Sequence, residues 1–558
     1  MIDLEIPLGK RTLKYRLFEM LPAVISYGGL ILMVILSMVS PILATIYLLL
    51  VIVTLLVKAV GIAVHTIKGQ KNLEAAQRVD WHARLAELED PIASSAILRD
   101  KNKAADEFGL FAHIENLRLM SADLESFPKP SQIYNAVIIA TYNESYDILA
   151  PTIKSVLEST YDNNKIILTI AYEQRGGDST KNTVMRLKKE FGHKFYAFHL
   201  VEHPKDLPNE VMGKGGNITY AGRFLQGWLK EEGIASKNVI VTTLDSDNKP
   251  YRTYFDYLTY EYITHEDRKH LSYQPICLFL SNIWDAPAPM RVIATGNSFW
   301  NIISSMRPHT LRNFASHSQP MDALEEMGFW STRTIVEDGH QYWRSYFYFG
   351  GNYSVIPICV PIYQDAVLSN TYAKTLKAQF IQLRRWSYGA SDIPYVADRL
   401  FSRNCNVPIL EGLARFVRLV DGHTTFAISS ILTAFGGWIP LLVNSEAARS
   451  ISANQLPSVV SVIQQVAMIG LFITIFLSLK MLPPRPERYK RSRSIGMVLQ
   501  WVLMPVTSIL YSSAATLDSQ GRLFIGRYLD KFDVTDKATH QSVADAKQKA
   551  KLQRLNTK

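Results

Sequence analysis

Apolar positions are unevenly spread along the chain. They form long unbroken runs at its two ends and short, interrupted runs between them. Residues 21–39 (LPAVISYGGLILMVILSMV) are one uncharged run, and after Ser40-Pro41 a second extends from Ile42 to about Val64 with a charge only at Lys58. About 20 apolar residues suffice to cross a bilayer as a helix, so both qualify, and the short join makes them a tight hairpin. No small-residue cleavage site intervenes, which argues against a signal peptide. Residues 67–405 read as a soluble stretch in which β-branched runs at 135–141, 165–171, 195–201 and 238–244 alternate with helix-like segments at about 147–159, 178–190 and 216–231. Strand alternating with helix predicts an α/β layer with a mostly parallel sheet. Ligands of such sheets bind beyond the carboxyl ends of the strands. The segment 408–420 carries Ile409, Leu413, Phe416, Val417 and Val420 on one face, as expected of an amphipathic helix lying in the membrane interface or docked on the soluble part. Three further spans are expected at about 424–443, 459–479 and 495–516.

Composition and charge sharpen this picture. With 47% hydrophobic and 20% charged residues among 558, the chain is not disordered, and its membrane-length apolar runs rule out a plain cytosolic enzyme. Its formal charge is +10, and 19 of the 60 Lys and Arg residues fall in three segments that flank apolar runs: 4 before the first, 6 in 480–493 and 9 in 522–558. That is the positive-inside pattern of a membrane protein facing an anionic leaflet, and no nucleic-acid motif accompanies it. The N-terminus and the soluble stretch are therefore expected in the cytoplasm. Three spans after that stretch would put the basic tail outside. Either the last run is re-entrant or kinked at Pro505, the reading favoured here, or the tail breaks the rule. Cys277, Cys359 and Cys405 are too scattered for a disulfide framework or a zinc site and read as buried thiols in a reducing compartment.

Candidate chemistry gathers where the strands end. The fourth strand closes on Asp245-Ser246-Asp247, two carboxylates that can share a divalent cation with a diphosphate, or else cap a turn. The first strand ends in Thr141-Tyr142-Asn143-Glu144 and the second in Tyr172-Glu173. Gly213-Lys214-Gly215-Gly216-Asn217 opens the helix after the third strand, where backbone N–H groups and a lysine suit phosphates. Val336-Glu337-Asp338-Gly339-His340 offers a carboxylate for general-base work or a solvated acidic turn, with His340 read as structural. In Gln382-Leu383-Arg384-Arg385-Trp386, an arginine can stabilise a leaving diphosphate and an indole can face a sugar ring, or else the two anchor a helix at the membrane interface.

With these elements in this order, the chain resembles the processive, membrane-embedded family 2 glycosyltransferases, the class of the cellulose synthase and hyaluronan synthase catalytic subunits. The resemblance covers about 134–390 and, more loosely, the flanking membrane segments. It implies a GT-A-type, mostly parallel sheet flanked by helices and inserted between N-terminal and C-terminal transmembrane helices. It also implies a nucleotide-sugar-dependent hexosyltransferase using Mg²⁺ or Mn²⁺ at Asp245 and Asp247. By the same resemblance Thr141, Glu144, Glu173, Lys214, Asn217, Asp245 and Arg385 bind the donor, Gln382 and Trp386 the acceptor, and Asp338 with Glu337 forms the catalytic acidic pair, Asp338 as base. The chain departs from the family at Tyr172-Glu173, where an aspartate pair is usual, and at Val336, where the acidic motif has threonine. Five apparent spans are also fewer than a polymer-secreting member shows, and the tail is too short for a cyclic-di-GMP-sensing domain.

The organisation expected is an N-terminal cytoplasmic segment and transmembrane hairpin (1–66), a cytoplasmic GT-A domain (67–405), an interfacial helix (406–422), a C-terminal membrane region (423–520) and a basic tail (521–558). The function expected is inverting transfer of a sugar from a UDP- or GDP-sugar to a growing polysaccharide, processive and coupled to translocation across the plasma (cell inner) membrane. The alternatives are a non-processive transferase acting on a lipid acceptor, and a nucleotide-binding transporter or scaffold. Membrane lipid and an accessory subunit are expected partners; nucleic acid is not.

Overall fold

The computed structural model describes residues 4–101, 107–531 and 537–538. Two compact units divide the chain: Met1–Ile6 with Gly69–Ser281 and Trp300–Asp365, and Pro7–Lys68 with Asn282–Phe299 and Ala366–Lys558.

The first unit is built on an eight-stranded sheet of order β3-β2-β1-β4-β7-β6-β8-β5. Its strands are β1 (Tyr134–Thr141), β2 (Ile166–Glu173), β3 (Ala197–His203), β4 (Val239–Asp245), β5 (Lys249–Pro250), β6 (Leu271–Leu278), β7 (Ser318–Pro320) and β8 (Ser354–Tyr363). The mostly parallel α/β sheet expected from the sequence is present: β1 pairs in parallel with β2 and β4, β2 with β3, and β6 with β8. Short β7 runs antiparallel to both β4 and β6, and β5 antiparallel to β8.

Parallel strands joined by crossover helices are covered on both faces, so their sequences read as nearly continuous apolar runs; all eight residues of β2 are buried. Alternate residues serve opposite layers. Val137 and Ile139 of β1 pack into a core with Ile153 and Val184 from helices Tyr146–Leu157 and Gly177–Phe191. Ala136 and Ile138 face a second core around Ile218, Leu225 and Trp330, with helix Lys214–Glu231.

A contribution that periodicity does not announce comes from the first residues of the chain. Glu5 Oε2 accepts from Ser331 Oγ at 2.6 Å, and Glu5 Oε1 accepts from Arg344 Nη2 at 3.2 Å. Arg344 is buried, so this carboxylate compensates a cation that has left water.

The second unit holds helices Leu13–Val39, Ile409–Val443 and Ser492–Ile525 and, as far as Lys68, helix Pro41–Ala76; all four are long and apolar enough to cross a membrane. Helix Ile451–Met481 covers the remaining expected run at 459–479. The segment expected as a separate interfacial helix is instead the first part of one α-helix, Ile409–Phe435, with no break at 422. There Phe416 is buried, edge-on to the rings of Phe18 and Phe401. Helix Tyr372–Ser387, expected in the soluble domain, belongs to this unit.

The charge interrupting the second apolar run has its partner here. Lys58 Nζ lies 2.9 and 2.8 Å from the two carboxylate oxygens of Asp421 and donates to Thr425 Oγ1 at 3.0 Å. The last run is irregular around Pro505: a 3₁₀ stretch, Gln500–Leu503, precedes it, and a π-helical stretch, Ser508–Ser513, follows. Its end is tied to the start of the first apolar helix. Arg16 donates to the carbonyls of Leu523 and Phe524 at 3.0 and 2.9 Å, satisfying acceptors left free at a helix C-terminus. The basic tail at 532–536 and 539–558 lies outside the described residues.

Replacing Glu5 by alanine should destabilise the first unit by about 1–3 kcal/mol, because Arg344 loses a charged acceptor while still buried. Thermal unfolding of the detergent-purified variant measures this, and an unchanged midpoint would show that the carboxylate is dispensable.

Candidate active site

The chain runs outward from β1 through β2 to β3, then returns to add β4 on the other side of β1. The crossovers on the two sides leave in opposite directions, which opens a crevice beyond the carboxyl ends of β1 and β4. Thr141 ends β1 and Asp245 ends β4, with Ala140 paired to Asp245.

Lys214 is the first residue of helix Lys214–Glu231, and its ammonium crosses to the end of β4. Lys214 Nζ stands 2.9 Å from Asp245 Oδ1, 3.2 Å from Asp338 Oδ2 and 3.9 Å from Glu337 Oε1. Glu337 and Asp338 are the first two residues of helix Glu337–Tyr348, where the helix dipole favours negative charge. Gly215 makes the approach possible: a Cβ there would strike the Ser331 carbonyl oxygen and press on Glu337 Cβ at 3.2 Å. Glycine at this position thus serves close packing inside the first helical turn as well as any exposure of backbone N–H groups.

Burial opposes the charge on Lys214, but Asp245, Asp338 and Glu337 outweigh it and hold the amine protonated well beyond its ordinary range. Glu337 is pushed up to about 8, first by burial and then by the charge of Asp338, against the pull of Lys214. The two acids therefore differ. Glu337 is buried and protonated at neutral pH, whereas the Asp338 side chain is 20% exposed and accepts from Lys214 through both oxygens, at 3.3 and 3.2 Å.

Sequence reasoning missed His317, whose Nδ1 lies 3.7 Å from Asp338 Oδ1. Trp330 Nε1 donates to His317 Nε2 at 3.2 Å, so the proton sits on Nδ1, which donates to the Phe314 carbonyl at 2.9 Å. Burial lowers its pKa further, leaving a neutral ring with both nitrogens engaged. Only its place directly before β7 could have flagged it.

The remaining predicted residues divide into four groups. Asn217 is buried and donates to the Ala171 and Thr141 carbonyls at 2.9 and 3.4 Å, bracing the ends of β2 and β1. Glu144 Oε2 accepts from Thr141 Oγ1 at 2.7 Å and Tyr142 N at 2.8 Å, so it shapes the loop after β1. Glu173 accepts from Arg175 Nη2 at 2.5 Å and faces His203 Nδ1 at 3.7 Å. His203, also missed, bonds Glu210 Oε2 at 3.0 Å; burial works against its protonation, but Glu173 and Glu210 raise it to about 9. The rule that marked the other strand ends would have marked it too, since it closes β3. Gln382, Arg385 and Trp386 lie on helix Tyr372–Ser387 in the second unit, where Gln382 Oε1 accepts from Gln379 Nε2 at 3.1 Å.

The turn after β4 is held firmly. Thr152 Oγ1 donates to the Ser246 carbonyl at 2.7 Å, and buried Asp247 accepts from Asp365 N at 3.1 Å through Oδ2. Among the described residues, no group of three or more His, Cys, Asp and Glu side chains could hold a metal alone. Asp245 at the cleft and Asp247 two residues on in the turn after it supply hard carboxylate oxygens, and at Lys214 the acids outnumber the ammonium. That donor set fits Mg²⁺ or Mn²⁺ completed by phosphate oxygens and water rather than a cation caged by protein.

No family model matches the chain, and no curated protein does. Among solved structures it is similar to a mannosyltransferase from Pyrobaculum calidifontis in complex with GDP-Man and Mn²⁺, at 16% identity and a TM-score of 0.38 over 77% of this chain and 99% of that one. It is also similar to S. aureus TarS, at 10% identity and 0.33 over 72% of this chain and 57% of that one. A shorter TarS chain, residues 1–349 with UDP-GlcNAc, gives 9% and 0.33, covering 72% here and 95% there. Likeness at this level carries no argument, so the functional reading rests on the chain's own residues.

The raised pKa of Glu337 makes a pH prediction. A carboxyl whose pKa rises from 4.5 to about 8 on folding lends stability that is complete below the unfolded value and is lost as pH rises through the folded one. Glu337→Gln, which keeps the neutral shape, should unfold near the wild-type temperature at about pH 5 and several degrees above it at about pH 9. Parallel melting curves across that range would refute the assignment of a neutral Glu337.

Proposed function

We propose that the chain is a membrane-bound glycosyltransferase whose first unit is a GT-A-type donor domain. It moves a sugar from a nucleoside diphosphate donor to a growing polysaccharide, with inversion, at the cytoplasmic face of the plasma or cell inner membrane. The observation that carries this reading is Lys214 at the crevice between β1 and β4, its ammonium between Asp245 and the acids that open helix Glu337–Tyr348. A lysine at a helix start suits a diphosphate, and carboxylates beside it suit a proton acceptor and a cation.

Asp245 and Asp247 would hold Mg²⁺ or Mn²⁺, which when bound supplies positive charge to the departing diphosphate. Lys214 adds its own charge to the same leaving group. The acceptor hydroxyl oxygen attacks the anomeric carbon as the bond from that carbon to the diphosphate oxygen breaks. The bonding pair leaves with the nucleoside diphosphate, and the hydroxyl proton passes to a carboxylate oxygen of Asp338.

Asp338 fits this task better than its neighbours. Glu337 already carries a proton near neutral pH, and both nitrogens of His317 are engaged. Attack opposite the leaving group inverts the anomeric centre, as when base and leaving group face opposite sides of a sugar ring. The assignment of Arg385 to the diphosphate and of Gln382 and Trp386 to the acceptor sugar rests on the sequence resemblance.

The apolar helices would anchor the enzyme and receive the glycan. Because Arg16 binds the carbonyls of Leu523 and Phe524, the end of the last run and the start of the first belong on one side of the bilayer. That supports a last run that turns back at its irregular middle, with the basic residues at 10–16 and 522–531 meeting one anionic leaflet.

Detergent-purified protein given a panel of UDP- and GDP-sugars should release nucleoside diphosphate from one donor only when Mg²⁺ or Mn²⁺ is present. Silence across the panel from folded protein with glycan or lipid acceptors supplied would overturn the reading. Asp338→Asn should bind that donor with wild-type affinity while transfer falls on the order of 10²–10⁴-fold. Retained turnover would remove the base from Asp338.

A further inference from the structure

The cleft contains one feature that general base and leaving-group chemistry does not require. Lys214 Nζ is spent on the carboxylate that would ligate the cation, at 2.9 Å from Asp245 Oδ1, with Asp338 and Glu337 completing its surroundings. The side chain is only 8% exposed, so this ammonium is screened by its acid partners rather than by water. A divalent cation on Asp245 would share the carboxylate with a fixed like charge a few ångströms away, and such repulsion is strong in a poorly solvated cleft. Asp247, the other candidate ligand, is held by the backbone at Asp365 and cannot swing out to meet a cation elsewhere without giving up that bond.

We propose that Lys214 is a placeholder for the divalent cation, occupying Asp245 until a nucleoside diphosphate draws its ammonium away, so that the cation enters with the nucleotide and not before it. This rests on the reading of the cleft as a nucleoside diphosphate site. The diphosphate brings the negative charge that both cations need, and Lys214, anchored at the helix start, trades a carboxylate for a phosphate oxygen without leaving the crevice. Binding of cation and nucleotide is then coupled, and by linkage each strengthens the other equally. An apo enzyme of this design keeps its acids neutralised and does not load a metal it cannot use.

The test is Mn²⁺ binding to the full chain in detergent, followed by the EPR signal of free Mn²⁺, with and without UDP or GDP; nucleotide binding is followed by equilibrium dialysis in the same samples. Wild type should bind Mn²⁺ weakly alone and at least about tenfold more tightly with the nucleotide it accepts. Lys214→Met should bind Mn²⁺ alone at least about tenfold more tightly than wild type and lose most of the coupling. Lys214→Arg, which keeps the charge, should still exclude Mn²⁺ in the absence of nucleotide. Nucleotide binding with equally tight Mn²⁺ in its presence and absence in wild type would overturn the placeholder and leave the proposed function standing. So would a folded Lys214→Met that binds Mn²⁺ alone no better than wild type. Failure of wild type to bind either nucleotide with Mn²⁺ present would overturn both. The wild-type measurement decides the matter even if the methionine variant does not fold.

Discussion

Parallel strands can be joined only by crossovers, and that constraint organises everything else in the first unit. Each connection must carry the chain back to the starting edge, so successive strands deliver their carboxyl ends to the same edge. Thr141, Glu173, His203 and Asp245 all close strands of this parallel set. Where the strand order reverses, at β1 and β4, the crossovers part and leave room. The helix that opens with Lys214 follows β3, and it reaches the end of β4 because that strand was added on the far side of β1. The acids at 337 and 338 arrive by a separate route, through the short antiparallel β7, helix Met321–Glu326 and the loop after that helix. One cleft thus draws on segments from 141 to 338 through a sheet that puts its chemistry on one rim.

Electrostatics then differentiates residues that composition treats alike. Three carboxyl groups surround one ammonium, yet they are not equivalent. Asp245 ends a strand and is partly open, Asp338 is reachable, and Glu337 is sealed in and holds its proton to about 8. The same contrast separates the histidines: His203 between two glutamates is a cation at neutral pH, whereas the hydrogen-bonded His317 is neutral.

The first four strands and the helices between them were legible because a sheet covered on both faces writes itself as apolar runs with a 3.6-residue pattern between. The expected strand at 165–171 is Ile166–Glu173 and that at 238–244 is Val239–Asp245. Lys214, Asp245 and Asp338 were legible for the related reason that chemistry follows strand ends. Strands β5 and β7 were not legible because, with two and three residues, they are too short to show a period. The sequence of helix Ile409–Phe435 reads as two segments because its first turns carry charge and its later ones do not, although a helix can pass from one setting to the other unbroken. The paired charges of Lys58 and Asp421 lie 363 residues apart, a distance over which no local pattern reports. The same holds for Glu5 and its partners, as for His317 beside Asp338.

The bond from Glu5 to Ser331 has a consequence for synthesis. Ser331 carries the carbonyl that lies against Gly215, so the N-terminal residues brace the loop that sets the depth of the Lys214 cleft. The partners of Glu5 at 331 and 344 follow it by more than 300 positions, so during synthesis this brace closes only after most of the first unit has been made.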